Sequence, residues 1–168
     1  MGHETMAYLW LRLRRENIFE TLFHDFPDMN FATFVREFSQ AGLSWNGMVV
    51  RRKGDEVVEH MGVFSLSQMV RSERLKRALA SFALFRDYWN QRDSDEAGHA
   101  GIAYAFDVVG LDVLGGVTPK ANRAALSFIH RLGFESVGEV PGFVLYNGER
   151  TSAVVSYLDA TKWRLRNG

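Results

Sequence analysis

The sequence predicts an α/β protein in which a mixed β-sheet carries helices on both faces. Three observations carry that prediction. The chain has 168 residues, 46% hydrophobic and 13% aromatic, enough for one core without disulfide or metal staples. Its hydrophobic period switches repeatedly between two and about 3.6 residues. The resulting order is β-α-α-β-β-(β)-α-β-α-β-β, and no repeat, low-complexity tract or linker interrupts it. A single domain over 1–168 is the expectation.

Met6–Leu13 reads as a strand, because Leu9, Leu11 and Leu13 alternate with Trp10 and Arg12. From Arg15 to Phe26 the period lengthens: Ile18, Leu22 and Phe26 recur at helical spacing, Phe19 and Phe23 flank them, and Pro27 ends the helix. Asn30 is the expected N-cap of a second helix with the stripe Phe31, Phe34, Val35 and Phe38, stopped by Gly42. Trp45–Arg51 and Glu56–Leu66 flank Arg52-Lys53-Gly54-Asp55, which is hairpin chemistry. Ser67–Trp89 leaves alternatives open. Arg71–Arg77 is helix-like, and Ala78–Phe85 either continues that helix or forms a buried strand.

Asp95–Val109 reads as a helix with Ile102, Ala105, Phe106 and Val109 on one side and Gly110 closing it. Val113–Val117 is a short buried strand. Pro119 opens the next helix, whose Ala124, Ala125, Phe128, Ile129 and Leu132 face inward, with Gly133 at its end. Phe134–Val140 and Ser152–Leu158 alternate as a closing strand pair around a loop with Pro141-Gly142 and Asn147-Gly148.

Twenty Lys plus Arg balance twenty Asp plus Glu, so the net charge is zero. That argues against a nucleic-acid partner and against a polybasic membrane anchor. There is no cysteine, which excludes disulfides, thiolate metal sites and a cysteine nucleophile. No apolar run reaches the ~18 residues of a spanning helix, and no signal-peptide pattern opens the chain. No metal site is expected, and a soluble cytoplasmic protein is.

The segment Leu114-Gly115-Gly116-Val117-Thr118-Pro119-Lys120-Ala121-Asn122, continuing through Phe128 to Leu132-Gly133-Phe134, resembles the GNAT superfamily of acyl-CoA-dependent N-acyltransferases. The shared pattern is a strand, V-x-P-x-N, a helix with small residues, then L-G-F. Tyr104-Ala105-Phe106 before Gly110-Leu111 is similar to the end of that family's central helix, and Gly138 with Pro141-Gly142 to the strand and loop after L-G-F. The strong match covers residues 100–142, and the order of elements extends it over the chain. Its flavour is that of the branch acetylating ribosomal-protein N-termini.

The resemblance implies the GNAT fold: a mixed, mostly antiparallel sheet of six to seven strands with helices on both faces. Ala78–Phe85 and Val113–Val117 would be its splayed, parallel fourth and fifth strands. It implies acetyl-CoA as co-substrate, with the pantetheine arm in the gap between them. It implies acetyl transfer by direct attack of a primary amine, on a small molecule or a protein N-terminus. The cofactor-binding residues it points to are Leu84, Phe85, Asn90, Arg92, Ser94, Asn122 and Phe128. A homodimer through the aromatic-rich N-terminal helices is compatible with it.

Two family features are not matched. The glycine-rich phosphate loop falls on Trp89–Ser94, which has no glycine. There Arg92 would contact the anion, with Ser94 at the helix start, against repulsion from Asp93 and Asp95. A second placement, Asp95-x-x-Gly98-x-Ala100, keeps the small residues only. The usual tyrosine acid is replaced by Ile129, beside Phe128. The base candidates are His60, next to Glu59, and Asp87. The rival reading is a catalytically degenerate GNAT-fold protein that acts as a binding module. Asn122 also reads as a plain helix cap, and Gly115-Gly116 as a β-bulge or a place of close approach. Three basic clusters, Arg12/Arg14/Arg15, Arg51/Arg52/Lys53 and Arg71/Arg74/Lys76/Arg77, read as solvated faces. The third is also a candidate for the adenosine phosphate or an acidic partner.

Overall fold

The computed structural model describes residues 2–19, 28–39 and 45–167. In chain order these form α1 (His3–Arg15), α2 (Phe31–Ser39), β1 (Trp45–Lys53), β2 (Glu56–Arg71), β3 (Lys76–Leu84), α3 (Gln91–Ala103), β4 (Val113–Pro119), α4 (Arg123–Arg131), β5 (Glu135–Tyr146), β6 (Glu149–Asp159) and α5 (Ala160–Asn167). The six strands make one sheet ordered β1-β2-β3-β4-β6-β5. Only β3 and β4 run parallel; every other neighbouring pair is antiparallel.

Successive strand residues face opposite sides, so β2 feeds two cores. Phe64 and Leu66 join Ala78, Leu114, Ile102, Phe106, Leu132 and Trp163 beneath α3, α4 and α5. Val63 joins Ala83 and Phe85 beneath α1 and α2, with Leu9, Leu13, Phe19 and Phe34.

Residues 6–13 are helical, a correction to the expected strand. Met6, Leu9 and Leu13 are buried, at spacings of three and four, while Leu11 is 66% exposed. The period-two alternation is incidental in a Leu- and Arg-rich segment that intrinsically favours helix. Arg15 therefore ends a helix instead of opening one; most of the helix expected over Arg15–Phe26, and Gly42, lie outside the described residues. Asn30 caps α2, its Oδ1 accepting the Thr33 N–H at 2.9 Å.

The β1–β2 hairpin turns at Gly54, with φ of 62°. The helix-like Arg71–Arg77 is instead the end of β2, a turn and the start of β3. Ser72 closes that turn, its hydroxyl accepting the Leu75 N–H and donating to the Leu75 carbonyl, both at 2.9 Å. Cross-strand pairing at Val70–Arg77 and Arg71–Lys76 overrides the local helix preference.

Ala78–Phe85 is a strand over all but its last residue. The helix expected from Asp95 begins four residues earlier, at Gln91, and ends in a π-helical turn over Tyr104–Val108. Pro119 is the last residue of β4, and α4 starts after Asn122. The expected loop at Pro141-Gly142 is an irregularity within β5, where the register to β6 shifts between Val140 and Val144.

Candidate active site

The site begins with a strand pair that separates. β3 and β4 pair only at Arg77–Val113, Ala78–Leu114 and Leu79–Gly115. Beyond that, β3 stays with β2 as far as Leu84–Gly62, and β4 stays with β6 as far as Pro119–Ala153. Each strand follows its antiparallel partner, so the parallel pair opens toward its C-terminal ends, as the resemblance implied. The facing backbone edges past Leu79 have no ladder partner across the gap, leaving N–H and C=O groups for a ligand.

A cleft of about 150 Å³ occupies this opening. Residues 80–83 of β3 form one wall and 116–119 of β4 the other, with Asn122, Ala125, Phe128, Ile129, Phe134 and Ile18 around them. The polar side chains among these are Ser81, Thr118 and Asn122; among the described residues no carboxylate lines the cleft.

Gly115 and Gly116 are not a bulge, since β4 pairs with β6 without a register shift. They are places of close approach. A Cβ on Gly115 would stand 2.8 Å from the Leu79 side chain, and one on Gly116 would stand 2.9 Å from Ser156 Oγ.

The predicted residues divide. Asn122 and Phe128 line the cleft. Asn122 is also the N-cap of α4, its Oδ1 accepting the Ala125 N–H at 3.1 Å, so the cap and cleft roles coexist. Leu84 ends β3 and Phe85 follows it, both with side chains buried and outside the lining. Asn90, Arg92 and Ser94 gather at the start of α3. The N-cap there is Asn90, not Ser94: Asn90 Oδ1 accepts the Asp93 N–H at 2.9 Å.

Asp93 fills the first turn of α3. It accepts from Asn90 Nδ2 at 2.7 Å and pairs with Arg51 at 2.6 Å. The Asn90 hydrogen bond, opposed by desolvation and reinforced by Arg51, holds its carboxyl below the ordinary range. Ser94 is buried one position further on and accepts from Arg131 Nη2 at 3.3 Å; Arg131 also pairs with Asp95 at 2.8 Å. Gly98 belongs to helix packing. A Cβ there would meet the Leu132 methyls at 2.6 and 2.7 Å and Phe128 at 3.0 Å.

His60 and Asp87 lie outside the cleft lining. His60 is exposed on β2, its ring 5.6 Å from that of Tyr8. Tyr8 accepts from Arg12 at 2.8 Å, and Arg12 also pairs with Asp87 and Glu16. Both base candidates thus join one patch with α1. Desolvation opposes the Arg12 charge, but hydrogen bonds to Glu16 and Tyr8 outweigh it, and its pKa moves up. Sequence reasoning missed Tyr8 and read Arg12 as part of a solvated basic face, because it placed both on a strand. It also missed the backbone edge of β3, for which no side-chain signal exists.

The third basic cluster lies at the β2–β3 turn. That is the far end of β3 from α3, about 25 Å away at the rise of an extended chain. It stands away from any phosphate held near α3. Among the described residues no cluster of His, Asp and Glu is arranged to hold a metal ion. Among them too, no helix is long and apolar enough to cross a membrane.

A mixed sheet whose central parallel pair opens into a cleft, with a capped helix behind it and Phe134 of L-G-F in its lining, is the architecture the family resemblance implied. The chain belongs to the GNAT family: residues 6–135 match the Acetyltransferase (GNAT) domain. It is 25% identical over 118 residues to the uncharacterized N-acetyltransferase YoaA of Bacillus subtilis (strain 168), covering 70% of this chain. The match spans 62% of that relative's length.

The fold is that of spermidine N-acetyltransferase from Vibrio cholerae, solved with CoA and spermine: TM-score 0.80, 12% identity, 98% of this chain and 95% of that one. Mycobacterium smegmatis RimJ in complex with CoA-disulfide superimposes with TM-score 0.75 at 13% identity, over 96% of this chain and 80% of that one. The ribosomal-protein-S5-alanine acetyltransferase from Vibrio fischeri gives 0.71 at 18% identity, over 95% and 88%.

Proposed function

We propose that this chain is an N-acetyltransferase that moves the acetyl group of acetyl-CoA to a primary amine, on a small molecule or a protein N-terminus. The observation that carries this reading is the opened β3–β4 pair. A thin arm bearing amides suits a slot with unpaired backbone on both walls and aromatic rings at its floor. Asn122 keeps its Nδ2 donors for such an arm while its Oδ1 caps α4. The nucleotide end fits differently, since α3 offers a carboxylate where relatives of this fold offer glycines.

The chain has no cysteine and no serine in a nucleophile elbow, so the amine attacks the thioester directly. Its nitrogen bonds to the carbonyl carbon, the C–S bond breaks with its electron pair on sulfur, and the nitrogen loses a proton. The β3 edge supplies N–H groups for the developing oxyanion. The remaining gain comes from holding amine and carbonyl together. His60 and Asp87 are the proposed bases.

One observation favours the rival, a GNAT-fold binding module. Asp93, paired with Arg51 and Asn90, occupies the first turn of α3 and repels phosphate there. Thiol release from acetyl-CoA decides between them. Spermidine and an alanine-terminated peptide, the acceptor types named for the neighbouring structures, are the first amines to try. Turnover with either supports the enzyme. No turnover and no acetyl-CoA binding support the module.

A further inference from the structure

Ser156 carries a buried hydroxyl that the fold does not use. The residue is 2% exposed, and its Oγ has no hydrogen-bond partner among the described residues. A hydroxyl left unpaired in the interior costs stability that an alanine would not. Ser156 lies on β6 directly opposite Gly116 of β4, and opposed residues of an antiparallel pair point to the same side. That side also carries Leu114 and Leu158, and α4 covers it with Phe128 and Ile129.

Gly116 is where this hydroxyl meets the cleft. It is a lining residue and the first of β4 beyond the last rung with β3, Leu79–Gly115. A Cβ on Gly116 would stand 2.9 Å from Ser156 Oγ, and the next nearest atoms, Phe134 Cδ1 and Cε1, lie 3.9 Å from that point. The missing side chain thus leaves an atom-sized dimple in the cleft wall, with the hydroxyl at its base. An arm that enters from the open C-terminal ends, where β3 leads to α3, brings its far end to this narrow end. In acetyl-CoA the far end is the thioester.

Cleaving the thioester puts negative charge on sulfur. Among the described residues the lining holds no titratable side chain, so a neutral donor must meet that charge. Ser81 points away from the side shared by Ala80 and Phe82. Thr118 stands two residues further out along β4, and Ser156 alone faces the Gly116 dimple with a hydroxyl among the atoms around it.

We propose that Ser156 donates a hydrogen bond to the thioester sulfur of acetyl-CoA through the gap at Gly116 and stabilises the thiolate as the C–S bond breaks. This rests on the acetyl-CoA reading. Sulfur takes the electron pair, and the serine keeps its proton throughout. The hydroxyl then comes from the sheet, in a chain with Ile129 where the family pattern has a hydroxyl on the helix.

The test follows the thiol of bound CoA by its ultraviolet thiolate absorbance as pH rises. In the wild type it should ionise at lower pH than in free CoA, and in Ser156→Ala that difference should shrink. Acetyl-CoA turnover should fall about ten- to a hundredfold in Ser156→Ala, the range for one hydrogen bond to a charged group, with the KM for acetyl-CoA unchanged. The melting temperature of the variant should equal or exceed that of the wild type, because only an unpaired hydroxyl is removed. A marked fall in melting temperature overturns the proposal by giving the serine a structural role. Bound CoA that ionises identically in wild type and Ser156→Ala overturns it too, and leaves the acetyl-CoA reading intact. A wild type that binds no CoA overturns both.

Discussion

At Gly62, β2 and β3 come too close for any side chain. A Cβ there would run into the Ala83 carbonyl oxygen and stand 2.7 Å from Leu84 Cα. Both are backbone, so neither can swing away. Gly62→Ala should cost about 2 kcal/mol or more, read as a lower urea midpoint at constant m. Gly98→Ala meets only the side chains of Leu132 and Phe128 and should cost less; equal losses would contradict the distinction. The two proposed bases differ in another way. Asp87 is 73% exposed and tied to Arg12, whereas His60 faces only the Tyr8 ring among the described contacts. A loss of about 10²-fold in kcat/KM for His60→Ala or Asp87→Asn would assign the base, that being the low end of general-base catalysis. Unchanged rates in both would leave positioning as the source of rate. Asp93 makes a pH prediction. Its folded pKa lies below its ordinary 3.8, so folding favours the charged form. That contribution is complete above the unfolded value and disappears as pH falls through the lower, folded one. Melting temperature should fall more steeply below about pH 4 in the wild type than in Asp93→Asn; parallel curves would remove Asp93 from the account.

Among the elements, α4 joins stability to the site. Its N-cap Asn122 holds the Ala125 N–H, and Phe128 and Ile129 on the same helix face the cleft. Asn122→Ala should cost about 1 kcal/mol and also weaken acetyl-CoA; Asn122→Ser should restore the melting temperature without restoring the affinity. Recovery of both by serine would reduce Asn122 to a cap. This helix was legible in the sequence because two strong signals agreed, a capping residue and an apolar stripe ending at Gly133, whose φ is 93°. The hairpin of β1 and β2 was legible through Gly54 for the same reason. The element α1 was not, because eight Leu-, Arg- and aromatic-rich residues satisfy both periods and only packing on Val63, Ala83 and Phe85 chooses. The start of α3 was misplaced because Ser94 and Asn90 are both capping types, and only the hydrogen bond to Asp93 decides. The parallel pair β3–β4 was legible through family resemblance alone, since Ala78–Phe85 carries no period that separates strand from helix. Most of the cleft was illegible for a simpler reason: its walls are backbone edges, which every sequence possesses.

For the molecule as a whole, ligand and fold are linked. If the β3–β4 gap takes acetyl-CoA, the folded state should gain about 2.7 kcal/mol at a hundred times Kd, seen as a rise in melting temperature; no rise at millimolar ligand supports the binding module. The chemistry makes a sharper prediction. Ile129 lines the cleft at the position where the family pattern has a hydroxyl acid, and among the described residues no carboxylate stands in the lining to replace it. Sulfur must then leave as a thiolate or with a proton from water, and neither route loses rate as pH rises. The nucleophile has the opposite need, because an ammonium has no lone pair and must first be deprotonated. The rate should therefore rise along a single limb, reporting the base or the amine itself, and show no falling limb up to about pH 9. His60→Ala separates the two origins: the limb moves if His60 is the base and stays if it belongs to the acceptor. A bell-shaped profile would contradict the prediction, since its falling limb requires an acid that the described residues of the cleft do not supply.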